Sequence, residues 1–218
     1  MTAAQPGACL RLVLATANPH KLIELDRILQ AGGVEADLAN LSEYPDAPDV
    51  AETGATFADN ALLKARAMAS YTGLPAVADD SGLCVDALNG MPGVLSARWS
   101  GKHGDDAGNL WLVLGQLSDV PDERRGAHFA CVAALALPVG REYVSEGIVD
   151  GRLIREPRGS NGFGYDPIFV PEPAELTSVG LPVTGQTTAE MESADKDKIS
   201  HRGKALRGLV PVIRALLA

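Results

Sequence analysis

Two adjacent aspartates, Asp79 and Asp80, follow a short apolar run and precede Ser81 and Gly82. A buried apolar strand that ends in two acids is costly unless a cation meets the carboxylates. Mg²⁺ suits this role because it binds through one or two carboxylates and is usually shared with substrate phosphates. The two acids therefore predict an enzyme that acts on a phosphorylated substrate. A hydrogen-bonded turn remains the alternative, since Asp-Asp-Ser-Gly also suits a turn.

A third acid and a lysine could belong to the same site. Glu52 precedes a predicted helix, where the helix dipole favours an acid whether or not it has a function. It could equally be a second ligand of Mg²⁺, while one of the two aspartates orients or deprotonates a water that the metal activates. Lys64 shares a helical face with Phe57, so its stem could cover the core or its ammonium could reach the site.

The segment Thr16–Lys21 lies where a predicted strand turns into a helix. Backbone N–H groups and the positive end of a helix favour anions at such a turn. Thr16, Asn18 and Lys21 add side-chain donors to it. The segment is not a Walker A loop, because the glycines and the Gly-Lys-Ser/Thr ending are missing. A capped helix without a ligand is the alternative interpretation.

Two segments in the last third of the chain could recognise a base. Phe163–Asp166 places aromatic rings among glycines, so that a ring could lie against a purine, although the aromatics could also be structural. His201 and Arg202 begin a predicted helix, where cations are unfavourable unless an anion or a polar ligand meets them. Ser200 could cap that helix, and Lys196 precedes it.

The elements that must position these residues are strands and helices in mixed order. Apolar runs predict strands near residues 10–15, 34–38 and 74–80, and two long strands over 127–138 and 142–154, joined by a hairpin-like turn. Helical spacing predicts helices over 19–31, 53–70, 105–117 and from residue 200 to the C-terminus. We expect a mobile polar loop over residues 171–188. This order indicates an α/β protein.

Composition excludes several function classes. The chain has 218 residues, 46% hydrophobic, with a net charge of −9, which argues against binding long nucleic acid. We find no apolar run long enough for a membrane span and no secretory signal. Cys9, Cys84 and Cys131 lie in apolar settings without metal-binding spacing, so they predict buried thiols in a reducing compartment.

Taken together, these motifs resemble the inosine triphosphate pyrophosphatase family, which removes non-standard purine nucleoside triphosphates. The matching stretches follow the family's order from near residue 10 to the C-terminus. They are Thr16-Ala17-Asn18 with Lys21 and Glu24; Glu52-Thr53-Gly54 with Asn60 and Lys64; Ala78–Leu83; Pro92-Gly93 to Arg98; Gly162–Pro167; and Lys196 with Ser200-His201-Arg202-Gly203. No single stretch is decisive, but six in order carry the assignment.

The resemblance implies a single domain over residues 1–218 with an elongated α/β fold. In that fold a long, curved, mixed β-sheet is flanked by helices, and two lobes surround a central substrate cleft. The resemblance also implies a cytoplasmic homodimer whose partner is a small-molecule nucleotide, with neither polymeric nucleic acid nor membrane. The implied reaction is Mg²⁺-dependent hydrolysis of ITP, dITP and XTP to the monophosphate and pyrophosphate.

The resemblance also implies roles for individual residues. Asp80 would be the proton acceptor and a metal ligand, Glu52 the second ligand, and Asp79 a supporting residue. The implied phosphate-binding residues are Thr16, Ala17, Asn18, Pro19, His20, Lys21 and Lys64, and Ser81 would also contact the substrate. The implied base-recognition residues are Phe163, Gly164, Tyr165, Asp166, Lys196, His201 and Arg202.

Two departures from the family pattern and two other functions stay open. Ala17 stands where the family often has glycine, and the segment from Pro171 to Ala194 is longer than usual. The chain could instead be a pyrophosphatase of related fold for modified pyrimidine or standard triphosphates, or a nucleotide-binding module without turnover. The acids argue against a pure binder, which has little use for a carboxylate-held metal beside a water.

Overall fold

The computed structural model describes residues 10–16 and 18–217, with the backbone alone for residues 19 and 20. The strands are β1 (Leu10–Leu14), β2 (Ala36–Asn40), β3 (Ala76–Val85), β4 (Gly126–Ala136), β5 (Glu142–Leu153) and β6 (Phe169–Pro171). The helices are α1 (Pro19–Ala31), α2 (Phe57–Thr72), α3 (Asp106–Gln116), α4 (Pro173–Thr177), α5 (Ser193–Ile199) and α6 (His201–Ala215).

The six strands form one sheet in the order β2-β1-β3-β4-β5-β6. Strand β1 runs parallel to β2 and β3, whereas β5 and β6 are antiparallel. Strands β4 and β5 are joined by a short hairpin turn in which Gly140 has a φ of +84°. The sheet is therefore mixed and flanked by helices, which confirms the predicted α/β class.

The start of α2 differs from the prediction. The helix begins at Phe57 because Thr56 caps it. The Thr56 hydroxyl accepts the N–H of Asp59 at 3.1 Å, and the Asp59 carboxylate accepts the N–H of Thr56 at 3.0 Å. This capping box satisfies two backbone donors that a helix end otherwise leaves without partners. Residues 53–55, predicted to be helical, therefore belong to the preceding loop.

Strand β3 does not end at the two aspartates, so that prediction was wrong. The strand continues through Leu83 to Val85 because apolar residues follow the acids and are buried. Successive side chains of a strand point to opposite faces of the sheet. Asp79 and Asp80 therefore lie on opposite faces, and each must find its own partners.

The prediction of a polar loop over residues 171–188 was wrong at both ends of the segment, whereas residues 178–186 form a mostly exposed turn and loop. This segment includes the end of β6 and helix α4, whose Leu176 is buried. Thr187 and Thr188 are buried as well. The sequence also gave no indication of α5, because its residues are mostly polar and lack an apolar face.

The chain divides into two compact units. The first holds the residues up to Asp79, Val132–Ser145 and the segment from Ala205. The second holds Asp80–Cys131 and Glu146–Lys204. Strands β3, β4 and β5 contribute residues to both. In the part of the chain that the structure describes, we find no helix that is long and apolar enough to cross a membrane.

The two units have cores of different composition. Small side chains dominate the first core, which allows α2 to lie close to the strands: Val13, Ala39, Ala61, Ala65, Met68, Ala69, Ala76, Ala78, Val132, Ala134 and Ala136. Larger side chains fill the second core, including Leu83, Val113, Leu117, Ile168, Phe169 and Ile199. Cys84 and Cys131 are buried thiols as predicted, and Cys9 lies outside the described residues.

A buried arginine stabilises the second unit. The Arg125 guanidinium donates to the carbonyls of Leu117 at 2.7 Å, Leu153 at 2.9 Å and Ile154 at 3.1 Å. Burial lowers the pKa of Arg125 because the charged form loses its hydration. The carbonyl of Leu117 follows the last residue of α3, where a cation is favoured by the helix dipole. Arg125 thus ties the end of α3 to the end of β5.

We predict that Gly82→Ala destabilises the protein. A methyl group at this position would collide with the Gly93 carbonyl and the Ser96 hydroxyl. Overpacking of this kind costs about 1–3 kcal/mol, measurable as a lower midpoint of urea unfolding. Gly115→Ala is the control, since its methyl group meets nothing and alanine favours an exposed helix interior by up to about 1 kcal/mol. Equal midpoints for the two variants would contradict the packing argument.

Candidate active site

Strand β1 is followed by helix α1, as the sequence predicts. The N–H of Asn18 donates to the Thr16 hydroxyl at 3.2 Å, and the N–H of Lys21 donates to the Asn18 carbonyl at 3.2 Å. Helix α1 begins directly after Asn18, so its positive end faces the turn. Ala17 lies outside the described residues, as do the side chains of Pro19 and His20. Their predicted phosphate contacts remain predictions.

Lys21 forms an ion pair with Asp79 in the first unit. Its ammonium lies 3.0 Å from Oδ1 and 2.8 Å from Oδ2 of the carboxylate. The Asp79 side chain is only 4% exposed, whereas that of Lys21 is 23% exposed. A buried carboxylate needs such a partner, so Asp79 holds the lysine in place while part of the lysine faces solvent.

Glu52 and Lys64 form the second acid–lysine pair of the first unit. Nζ of Lys64 lies 2.8 Å from Oε1 of Glu52, and both side chains are partly exposed. Of the two interpretations of Lys64, the structure favours the one in which its ammonium reaches toward Glu52. The loop of Glu52 is fixed by the N–H of Gly54, which donates to Oδ1 of the fully buried Asn60 at 2.7 Å. A side chain on Gly54 would collide with Asn60.

Asp80 and Ser81 belong to the second unit. Asp80 is buried, with 9% exposure, and Ser81 is half-buried. The strand beyond them is held by Ser96, whose hydroxyl accepts the N–H of Leu83 at 2.9 Å and donates to the carbonyl of Gly93 at 2.6 Å. The direction of Asp80 is therefore fixed by a strand whose next residues are anchored by side-chain hydrogen bonds.

The structure brings three predicted base-recognition residues together. The Asp166 carboxylate, 5% exposed, accepts the Lys196 ammonium at 2.5 Å and the N–H of Phe163 at 2.8 Å on the same oxygen. Nζ of Lys196 also lies 5.5 Å from the centre of the Phe163 ring, within the range of a cation–π contact. The Phe163 ring is 67% exposed. This cluster presents a flat ring beside a cation held in one place.

The side chain of Tyr165 has a structural role instead of the predicted role in base recognition. Its phenol is buried and donates to the Ser96 carbonyl at 2.9 Å. Burial also raises the pKa of Tyr165, because the charged phenolate would lose its hydration. The side chain therefore anchors the loop rather than facing a base. The neighbouring Gly164 is held too, since its N–H donates to the Asp106 carboxylate at 2.9 Å.

His201 and Arg202 begin α6 as the sequence predicts. Ser200 caps this helix, because its hydroxyl accepts the N–H of Gly203 at 3.1 Å. The His201 ring stacks on Phe129, with 5.1 Å between centroids and an angle of 12°. Phe129 in turn packs on Phe169 at 4.5 Å. The aromatic rings hold the imidazole in a defined plane. Arg202, the next residue in the sequence, is half-buried.

Four residues that contact predicted base-recognition residues were missed by the sequence reasoning: Ser96, Asp106, Phe129 and Thr188. Ser96 lies inside the stretch from Pro92 to Arg98 that matches the family, so the motif could have identified it. The other three gave no local signal, since each acts on a residue far away in the chain.

Each unit offers a carboxylate of the kind that Mg²⁺ binds. In the ranges 10–16 and 18–217 we find no group of three or more His, Cys, Asp or Glu side chains placed to hold a metal. Mg²⁺ does not need such a group, because it commonly binds through one or two carboxylates, waters and substrate phosphates. Glu52 in the first unit and Asp80 in the second each offer carboxylate oxygens, the ligand type that this ion prefers.

Comparison with known proteins decides the family. A model described as the Ham1 family matches residues 12–212. The chain belongs to the Ham1 family. This confirms the family resemblance predicted from the six motifs.

Individual Ham1 relatives match the chain over nearly its whole length. A dITP/XTP pyrophosphatase of Streptomyces avermitilis is 58% identical over 207 residues, covering 95% of this chain and 98% of the relative. A crystal structure of a nucleoside-triphosphatase or dITP/XTP pyrophosphatase from Mycobacterium abscessus is 54% identical, with a TM-score of 0.75, and covers 93% of this chain and 100% of its own. A HAM1 protein from Coxiella burnetii is 42% identical, with a TM-score of 0.82, and covers 94% and 99%.

We predict that Tyr165→Phe changes the response of the protein to alkali. The raised pKa of Tyr165 means that its neutral form stabilises the fold below pH of about 10, the ordinary phenol value. This stabilisation is lost as the pH rises toward the higher pKa of the folded state. An absorbance titration of phenolate should show a late component that is absent from Tyr165→Phe, and urea unfolding at neutral pH should show a loss of about 1 kcal/mol. Identical titration curves would contradict the assignment.

Proposed function

We propose that this chain hydrolyses the non-standard purine nucleoside triphosphates ITP, dITP and XTP to the monophosphate and pyrophosphate, and so removes them from the nucleotide pool. The observation that carries the proposal is the cluster of Phe163, Asp166 and Lys196, in which an exposed ring lies beside a fixed cationic donor. The names of relatives that are 54–58% identical support the same activity.

The phosphate end of the substrate would be bound by Lys21, Lys64 and the turn of Thr16 and Asn18, together with Ala17, Pro19 and His20. A nucleoside triphosphate carries close to four negative charges, and the chain itself has a net charge of −9. Local cations must therefore outweigh the repulsion of the whole protein at short range. Lys21 is suited to this because Asp79 fixes its position and leaves its side chain partly exposed.

Glu52 and Asp80 would hold Mg²⁺. When bound, the ion would neutralise phosphate charge and lower the pKa of a water. Glu52 is the more exposed of the two acids, and its Oε1 lies 2.8 Å from Nζ of Lys64. If the ammonium of Lys64 moves from Glu52 to a phosphate of the substrate, the Glu52 carboxylate becomes available to bind Mg²⁺. The positive charge of Lys64 then lies on the substrate.

Asp80 would accept the proton of the attacking water. The oxygen of that water forms a bond to the α-phosphorus, the bond from this phosphorus to the bridging oxygen breaks, and pyrophosphate leaves. Catalysis of phosphoryl transfer consists mostly of positioning and charge stabilisation. The anchored strand β3 positions Asp80, and the two lysines would stabilise the charge that builds on the departing pyrophosphate. Ser81, next to Asp80, would contact the substrate.

The base would be recognised by donors in the second unit. Inosine and xanthine present O6 as an acceptor and N1–H as a donor, whereas adenine presents the reverse. Lys196 and Arg202 donate only, so a donor that binds O6 would face the amino group of adenine and lose its hydrogen bond. Each mismatch costs about 1–3 kcal/mol, and two give roughly a hundredfold discrimination. Phe163 would stack on the base, His201 would contact it, and rejection of guanine would act at its 2-amino group.

The resemblance to the family supports three further proposals. The chain would act as a single domain, as a homodimer and in the cytoplasm. None of these changes the chemistry assigned to the individual residues above.

A panel of triphosphates tests the proposed function. Purified protein is mixed with ITP, XTP, ATP, GTP and UTP, with and without Mg²⁺, and pyrophosphate is measured. We expect rapid Mg²⁺-dependent release from ITP and XTP only. Equal release from all five would remove the base selectivity, and a preference for UTP would favour the pyrimidine alternative. Binding of ITP without any release would favour a binding module.

We predict that Asp80→Asn abolishes turnover, because an amide cannot accept the proton and is a poor metal ligand. The loss should exceed about a hundredfold in kcat. The matched control is Asp150→Asn, an exposed aspartate on β5, which should retain full activity. Circular dichroism and urea unfolding check that Asp80→Asn is folded. Full activity in a folded Asp80→Asn protein would remove this residue from the mechanism.

We predict that Lys196→Ala lowers the preference for ITP over ATP more than it lowers kcat for ITP. The selectivity ratio should fall by roughly tenfold, as expected for one lost donor. Lys198→Ala is the control, since Lys198 is on the same helix and pairs with Asp195 at 2.7 Å on the surface. Steady-state kinetics with both nucleotides provide the ratio, and an unchanged ratio in Lys196→Ala would contradict the role in base recognition.

A further inference from the structure

A second buried side chain acts on the carboxylate that holds Lys196. Thr188, only 3% exposed, donates its hydroxyl to Oδ1 of Asp166 at 2.8 Å. The backbone of Thr188 is itself fixed, because its N–H donates to the carbonyl of Phe169 at 2.9 Å. The hydroxyl therefore approaches Asp166 from a rigid part of the structure.

The two oxygens of Asp166 have different partners. Oδ2 accepts Lys196 and the N–H of Phe163, whereas Oδ1 accepts Thr188. The last torsion of an aspartate is broad, so a carboxylate bound through one oxygen alone can rotate. A donor on the second oxygen fixes the plane of the group. In this way Thr188 determines where Oδ2 lies, and Oδ2 determines where the ammonium of Lys196 lies.

We propose that Thr188 is a positioning residue for base selectivity: by holding the Asp166 carboxylate, it places Lys196 beside the Phe163 ring. This inference rests on the proposed function for the choice of substrate. It does not make Thr188 a catalytic residue, because its hydroxyl contacts Asp166 and not the nucleotide. Loss of the hydroxyl should therefore change which base is preferred while leaving the chemical step nearly intact.

The chain offers a matched control in the neighbouring residue. Thr187 is fully buried and donates its hydroxyl to the carbonyl of Arg158 at 2.8 Å. Its burial, bond length and chemical type match those of Thr188, but its hydroxyl does not bond to Asp166. A change to valine removes one buried hydroxyl in each case, so any general loss of stability should be similar.

The kinetic test compares Thr188→Val, Thr187→Val and Thr188→Ser, with ITP and ATP as substrates. In Thr188→Val we expect the selectivity for ITP to fall about tenfold, mostly through a higher KM for ITP, as for one lost hydrogen bond to a charged group. Thr188→Ser keeps the hydroxyl and should restore the selectivity, whereas Thr187→Val should not change it. Equal losses in the two valine variants, or no loss in Thr188→Val, would overturn the proposal.

A second measurement does not depend on turnover. The Nζ signal of Lys196, assigned by its loss in Lys196→Ala, is followed by NMR in protein with ¹⁵N-labelled lysine. It should shift or broaden in Thr188→Val and stay unchanged in Thr187→Val. If the wild-type protein releases no pyrophosphate from ITP, the proposed function fails, while this signal still tests the link from Thr188 to Lys196. A signal that is unchanged in Thr188→Val would overturn that link.

Discussion

The burial of carboxylates is the constraint on which the candidate site depends. Asp79 and Asp166 have side chains that are 4% and 5% exposed, and each is paired with a lysine that is 23% or 24% exposed. An isolated charge inside a protein is too costly, so each acid fixes the position of its lysine. The result in each unit is a cation with a defined location and a partly open side. These properties suit the proposed binding of phosphate by Lys21 and of the base by Lys196.

Glu52 follows a different pattern, which matches its different proposed role. Its side chain is 28% exposed and that of Lys64 is 19% exposed, so neither charge is fully removed from water. Breaking such a pair costs less than breaking one that is deeply buried. Glu52 is therefore the acid that can most readily exchange its lysine for a metal ion, whereas Asp79 is committed to Lys21. In the sequence, Glu52 and Asp79 both lie close to predicted helices or strands. Only the different burial of their side chains distinguishes the proposed metal ligand from the partner of Lys21.

The features that the sequence predicted well depend on local patterns. The turn after β1, the cap at Ser200 and the two long strands follow from neighbouring residues and their spacing. The features it missed depend on distant contacts: Tyr165 bonds to a residue 69 positions away, and Asp166 to one 22 positions away. The length of β3 does not follow from the sequence pattern, because two charged residues interrupt the apolar run and the partner that lets Asp79 stay inside, Lys21, comes from α1.

Hydrolysis of ITP in ¹⁸O-labelled water reports which phosphorus the water attacks. We predict that the label appears in inosine monophosphate and that the pyrophosphate is unlabelled, in a reaction that requires Mg²⁺ and Asp80. Label in pyrophosphate would place the attack on the β-phosphorus. Labelled orthophosphate with the diphosphate as the other product would place it on the γ-phosphorus. Either of these two results would contradict the assignment of Asp80 and the two lysines to cleavage at the α-phosphorus.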